Sequence, residues 1–212
     1  MEFADVIRRR RMVRQFEDRP LAPDIVERIL ANALRAPSAG FAQGWEFLVL
    51  TSAEDRARFC PFVQNQVRYT PATMNAPLVV IPLAHKARYL ERYAQPDKGW
   101  TLENAEQKWP APYWYIDAGM ATMLMLLSAV DEGLGGFLFW IMPPAEISND
   151  VGAVPAHLDA FRAEFGVPAE YDPIGAVAIG YRAPDLPPQN PQLGERRRTV
   201  ADVVHQGQFG RR

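Results

Sequence analysis

The chain of 212 residues carries 23 Lys and Arg against 25 Asp and Glu, a formal net charge of -2, with 48% hydrophobic and 23% charged residues. Such proportions suit a soluble globular protein whose core supports a single domain, 1–212, and the slightly acidic balance argues against nucleic acid or an anionic membrane as partner. A single cysteine, Cys60, excludes an internal disulfide and a cysteine-built cluster, and the three histidines, His85, His157 and His205, lack ligand spacing, so no metal is expected.

Met1–Asp5 opens no apolar signal-like run, and the greasiest stretch, Met120–Val130, is short for a bilayer. No membrane partner and a cytoplasmic location are therefore expected. Residues 2–11 read as a short helix ending in Arg8–Arg11, and 12–20 as extended or irregular. Pro23 starts a helix whose apolar positions Ile25, Ile29, Leu30, Ala33 and Leu34 fall on one face. It ends near Pro37, and Ser38-Ala39-Gly40 reads as a turn. Trp45–Thr51 reads as a strand, and Ser52 caps a helix through about Gln64. Ala76–Ala84 reads as a second strand, in which Pro82 signals an edge or a bulge.

Residues 86–112 have no clear period and read as a lid or insertion. Tyr113–Asp131 is apolar almost all round, the pattern of a central buried helix, and Gly133-Leu134-Gly135-Gly136 ends it. Phe137–Met142 and Ile174–Ile179 read as strands on either side of a helix over 155–165. The Pro-rich segment 184–191 reads as a linker, and Arg196–Val204 leads to the tail. Neither GxGxxG nor GxxxxGK[ST] occurs, so the common nucleotide-binding loops are not used. The order of elements predicts an α+β fold, a central, mostly antiparallel sheet flanked by helices.

Three segments could carry chemistry. Arg8–Arg11 with Arg14 could grip a phosphate monoester through guanidinium forks, or simply be a solvated helix end. Arg196-Arg197-Arg198 could join them on one dianion. The small residues around Ser38–Gly40 could let a flat ring approach the backbone, or merely connect helix to strand.

Arg10-Arg11-Met12-Val13-Arg14-Gln15-Phe16, Pro20, and Ala36-Pro37-Ser38 through Gln43-Gly44-Trp45-Glu46-Phe47 together resemble the nitroreductase family pattern RRSxRxF…P…APSxxNxQPWxF. Tyr113–Ala121 with Gly133–Gly136 looks like that family's central helix and its Gly-rich end. Ile179-Gly180-Tyr181 and Arg197–His205 are similar to its closing segment. The resemblance runs in order along nearly the whole chain. It implies an intertwined homodimer with FMN at the subunit interface and NADH or NADPH as electron donor. It also implies ping-pong, two-electron reduction of a small aromatic acceptor such as a nitroaromatic or quinone, with the chemistry on flavin N5.

By position, the resemblance assigns the flavin phosphate, ribityl chain and pyrimidine edge to Arg10, Arg11, Met12 and Arg14, with Arg14 near the edge that becomes negative on reduction. Pro37, Ser38, Ala39 and Phe41 match the turn that meets the ring from the partner. Gly135 and Gly136 match the Gly-rich stretch, Tyr69 or Arg68 a middle flavin contact, and Arg196 and Arg198 the residues completing the phosphate site. Three departures stand out: Met12 for the usual Ser, Phe41 for Asn, and Gly44 for Pro. Alternative readings are a same-fold flavin enzyme with other chemistry (reductive dehalogenation or flavin fragmentation) and a non-catalytic flavin-binding protein.

Overall fold

The computed structural model describes residues 1–212. Helix α1 (Phe3–Arg9) places Arg8 and Arg9 in its last turn, where cations favour exposed carbonyls. After an extended arm, α2 (Pro23–Ala33) begins on Pro23, whose missing N–H costs nothing at that position. Next come β1 (Trp45–Leu50), α3 (Ala53–Phe59), α4 (Gln64–Tyr69), β2 (Leu78–His85), α5 (Lys86–Tyr93) and α6 (Leu102–Lys108). Helix α7 (Tyr113–Asp131) leads into β3 (Gly135–Phe139), α8 (Ala153–Phe165), β4 (Tyr171–Pro173) and β5 (Ala176–Gly180). Two single turns, α9 (Gln192–Glu195) and α10 (Val200–Val203), lie in the tail. The Ser52 hydroxyl accepts from the Asp55 N–H at 3.0 Å and so caps α3 as its position predicts.

The sheet runs β1-β2-β5-β3 with every pairing antiparallel, as expected for an α+β fold. The short β4, absent from the sequence reading, pairs with β2. Strand β2 is interior, which corrects the edge expected from Pro82. It pairs with β5 over Leu78–Val80 and with β4 over Leu83–His85, and Pro82 falls in the gap between them. Its carbonyl accepts from Ile174 N–H on that side, so the N–H it lacks would face the junction, where no ladder bond is required.

Helix α7 packs against α2 and against β2, β3 and β5, and buries Ala118, Ala121, Met125, Leu126 and Ala129 in the larger of two core clusters. At 19 residues it exceeds the Met120–Val130 run and is long and apolar enough to cross a membrane. It is instead the central core helix, as the all-round apolar pattern predicts.

Segment 86–112 is folded onto the body. Tyr89 is fully buried and meets Trp109 and Trp114 edge to face at 6.0 and 6.4 Å. Tyr93 packs on Trp100 and Trp109 at 4.8 and 4.5 Å, and Lys86 pairs with Glu106. Its period escaped the sequence reading because α5 and α6 have only 8 and 7 residues, separated by a break containing Pro96 and Gly99.

Candidate functional site

The arm after α1 is extended and tied down along its length. Val13 N–H donates to Gly136 C=O at 2.9 Å, Phe16 N–H to Ala72 C=O at 3.1 Å, and Glu17 N–H to Tyr181 C=O at 3.0 Å. Ala183 N–H donates back to Gln15 C=O at 3.1 Å, and the Thr73 hydroxyl to Arg14 C=O at 2.8 Å. Val13 and Phe16 are buried as anchors while Arg14 between them is exposed. The arm bridges in parallel to the edge strand β3 at Met12↔Gly136. The approach is close enough that a Cβ on Gly135 would lie 2.8 Å from that of Val13.

This anchoring delivers Arg10, Arg11, Met12 and Arg14 to one cleft of ≈ 640 Å³. Its opposite walls are Tyr69–Ala72 and Leu186–Asn190, and no carboxylate lines it. Arg10, Arg11 and Arg14 make no ion pair with any acid, whereas Arg28, Arg58 and Arg162 each do. Arg11 Nη1 donates to Pro187 C=O at 3.2 Å. Behind the arm, partly buried Arg182 donates to Leu134 C=O at 3.1 Å and leaves its Nε unpartnered. Burial, with Arg11 and Arg9 adding repulsion, pushes the Arg182 pKa down. A concentration of unpaired guanidinium groups suits a dianionic ligand, which would offset their mutual repulsion. The buried side-chain amide oxygen (Oε1) of Gln15, another lining residue, also has no hydrogen-bond partner.

Arg14 borders a second cavity of ≈ 290 Å³ as well, formed by Asn65 and Gln66 at the start of α4 and by Phe137–Trp140 and Met142. Its guanidinium lies 4.5 Å over the Phe137 ring.

The Ser38 turn lies away from this cleft in the same protomer; Pro37, Ser38, Ala39 and Phe41 line none of it. Gly40, Phe41 and Gln43 all have positive φ, 61, 55 and 49°. Such strain in two non-glycine residues persists only where the surroundings enforce it. The buried Asp117 carboxylate accepts from Ala39 N–H at 2.8 Å and from the Tyr89 hydroxyl at 2.9 Å through the same oxygen. Arg92 Nε donates to Gly40 C=O at 2.9 Å, and Gln43 N–H to the Ser38 hydroxyl at 3.0 Å. Phe41 is held out into solvent at 76% exposure. Thus α5 and α7 together brace the turn.

The remaining expected residues sort differently. Tyr69 lines the cleft. Gly135 and Gly136 do not; they lie beneath the arm, where the absence of a side chain permits the Val13 and Leu126 contacts. Arg196 and Arg198 are exposed on the tail just beyond Leu193, which borders the cleft. Sequence reasoning missed Gln15, Thr70–Ala72 and Leu186–Asn190. The last of these belongs to the segment read as a linker, and Pro187-Pro188 was the available sign of a stiff wall there.

The description Nitroreductase family fits residues 7–181, most of the chain, and the chain belongs to that family. A relative from Methanothermobacter thermautotrophicus, provisionally named NADH dehydrogenase/NAD(P)H nitroreductase, is 23% identical over 97% of this chain and 86% of its own length. The FMN-dependent nitroreductase from Clostridium difficile R20291 superposes with a TM-score of 0.66 at 23% identity, covering 96% of this chain and 98% of that one. A provisionally named nitroreductase from Exiguobacterium sibiricum 255-15, solved in complex with FMN, gives a TM-score of 0.69 at 18% identity, covering 96% of each chain. At these identities the structural likeness establishes the fold.

Proposed function

We propose that this chain is an FMN-dependent NAD(P)H oxidoreductase that reduces electron-poor acceptors such as nitroaromatics and quinones. The observation that carries the reading is the single cleft in which Arg10, Arg11 and Arg14 converge unpaired, with no carboxylate on its walls. These residues fit a flavin mononucleotide. The guanidinium groups would hold the phosphate, Met12 would offer only its backbone, and the unpartnered Gln15 oxygen would take a ribityl hydroxyl. FMN, when bound, supplies the two-electron chemistry between nicotinamide donor and acceptor in alternating half-reactions. Arg14 provides a fixed positive charge that lowers the cost of negative charge on the ring. The cleft walls contain no histidine or carboxylate to act as general acid, so water delivers protons.

A homodimer with FMN at the interface belongs to the same reading. Exposed Ile7 on α1, Ile116 and Met123 on α7, and Val200, Val203 and Phe209 on the tail support it, being apolar side chains without cover in one protomer. In that dimer the Phe41 turn and the Arg196–Arg198 segment would reach the partner's cleft.

The purified protein should be yellow, bleach anaerobically with NADH or NADPH, and recover colour with a quinone or nitroarene. Arg10→Ala and Arg14→Ala should each weaken FMN retention about tenfold or more, the scale of one lost charge-assisted contact, and Arg8→Ala, which removes only an exposed pairing with Asp5, should not. A colourless protein that takes up no FMN would sink the proposal. Equal affinity in the three variants would refute the phosphate assignment.

A further inference from the structure

Two buried indole N–H groups, those of Trp109 and Trp114, lie outside the arginine-lined cleft and make no hydrogen bond. Buried tryptophans ordinarily aim this group at an acceptor. Two neighbours that both fail to do so call for a reason beyond packing, which phenylalanine would serve without an orphaned donor. The two rings belong to one chain of contacts. Trp100, partly exposed in the break between α5 and α6, meets Trp109 edge to face with ring centroids 5.5 Å apart. Trp109 meets Trp114 edge to face at 6.5 Å, and Trp114 meets Tyr115 at 5.9 Å. Tyr115 stands at 41% exposure in the first turn of α7.

The far end of this chain is built differently. Of the seven tyrosines only Tyr89 and Tyr115 donate to a carboxylate. The Tyr115 hydroxyl donates to Asp172 Oδ2 at 2.8 Å, and Arg162 Nη2 donates to Asp172 Oδ1 at 2.8 Å. Burial and the bond to Asp172 raise the Tyr115 pKa, and the nearby Trp114 N–H, short of bonding geometry, partly offsets them. Tyr89 also touches Trp109 and Trp114, but it is fully buried and out of reach of any solute. An indole with no acceptor keeps its N–H proton when it loses an electron, so positive charge is not trapped there. Lys86 Nζ, 5.5 Å from the Trp114 ring centroid, further discourages charge from resting on Trp114. A phenol bonded to a carboxylate loses its proton with the electron, which fixes the radical on Tyr115.

We infer that Trp100, Trp109, Trp114 and Tyr115 form a radical relay that carries an oxidising equivalent from an oxygen-centred radical, through the body of the protein, to a thiol in solution. A peroxyl radical takes one electron from Trp100 and one proton from water and becomes a hydroperoxide. Electrons then step from Trp109 to Trp100, from Trp114 to Trp109 and from Tyr115 to Trp114, restoring each indole. Tyr115 gives its phenol proton to Asp172, which passes it to water, and remains as a neutral phenoxyl radical. A thiol returns a hydrogen atom to it and leaves as a thiyl radical. The net change moves one hydrogen atom from thiol to peroxyl radical. The relay draws oxidation away from Tyr93, which packs on Trp100 and lies beneath Gly40 of the braced turn. None of the four relay rings lines the arginine-lined cleft, so the relay and the FMN reading stand or fall separately.

The test is pulse radiolysis of the full-length protein in azide solution, where the azide radical oxidises indole rings. In the parent the indolyl absorption should decay as the phenoxyl absorption grows, at a rate independent of protein concentration. Tyr115→Phe should lose most of that growth, whereas Tyr69→Phe, which alters an exposed phenol off the path, should keep it. Asp172→Asn should slow the growth, because the phenol then lacks its proton acceptor. Spin trapping followed by peptide mass spectrometry should place the adduct on Tyr115 in the parent and on Trp100 in Trp109→Phe. Circular dichroism establishes that each variant is folded. Phenoxyl growth unchanged in folded Tyr115→Phe, growth lost in Tyr89→Phe instead, or a rate that rises with protein concentration would overturn the relay. Each of those results would leave the proposed function intact, since FMN titration measures it independently.

Discussion

Replacing Gly135 by alanine tests whether close packing of the arm on β3 sets up the arginine-lined cleft. The new Cβ would lie 2.8 Å from both Cβ and Cγ2 of Val13 and 2.9 Å from its Cγ1, so the arm must shift. Overpacking of this kind costs roughly 1–3 kcal/mol. Val13→Ala removes two buried methyl groups, a loss of about 2 kcal/mol from transfer plus residual cavity. In the double variant the added methyl meets only the Cβ at position 13, since both Cγ atoms are gone. Its stability should therefore fall by less than the sum of the two single losses, giving a favourable coupling of about 1 kcal/mol. Urea unfolding of the four proteins measures the coupling, and FMN titration follows the arginines. Gly135→Ala should weaken FMN binding, and the double variant should recover part of it. Additive stability losses, within about 0.5 kcal/mol, would refute the idea that Gly135 is there to admit Val13.

Two further outcomes follow from the braced turn. Burial, reinforced by the hydrogen bond to Asp117, raises the Tyr89 pKa above its ordinary value of 10.0. The folded state keeps this proton while the unfolded chain releases it, so the contribution is complete below about pH 10 and declines as pH rises beyond it. The stability difference between parent and Tyr89→Phe, followed by denaturant unfolding, should shrink above that pH; a difference constant to pH 11 would contradict the assignment. Gly40→Ala places a Cβ 2.7 Å from Tyr93 Cε2 at a φ of +61°, and should lower the melting temperature by roughly 2–8 °C. In a Tyr93→Leu background part of this loss should disappear, leaving the portion due to φ; an equal loss in both backgrounds would place the whole cost in the backbone.

Most of the sheet was legible because its strands are short apolar runs bounded by turn residues, and α7 because it is apolar on every side. The arm was legible in part. Five arginines in seven positions announce an anion site, but alone they equally announce a solvated helix end. The family resemblance set Arg10, Arg11 and Arg14 apart from Arg8, and the anchoring of Val13 and Phe16 is the structural counterpart, with Arg8 paired to Asp5 at the surface. The role of 86–112 was not legible. It depends on Tyr89 and Arg92 reaching Asp117 and Gly40 across long sequence separations, and no local period encodes such a contact. Pro82 was legible in part: of the edge or bulge it signalled, the bulge is there, since residues 81–82 of β2 face the three residues 174–176 between its β4 and β5 pairings. The cleft wall at Leu186–Asn190 looked like a linker because prolines stiffen walls and connectors alike.

The arm sets an order of events during biosynthesis. The arm precedes in sequence every group that holds it: the Ala72 carbonyl and Thr73 hydroxyl, and then, more distantly, Gly136, Tyr181 and Ala183. Gly136 follows Val13 by 123 residues and Tyr181 follows Glu17 by 164. The arm therefore cannot be fully seated on a nascent chain until the edge strand and the exit of β5 exist. On the proposed function, loading of FMN would then follow completion of the sheet instead of guiding its formation.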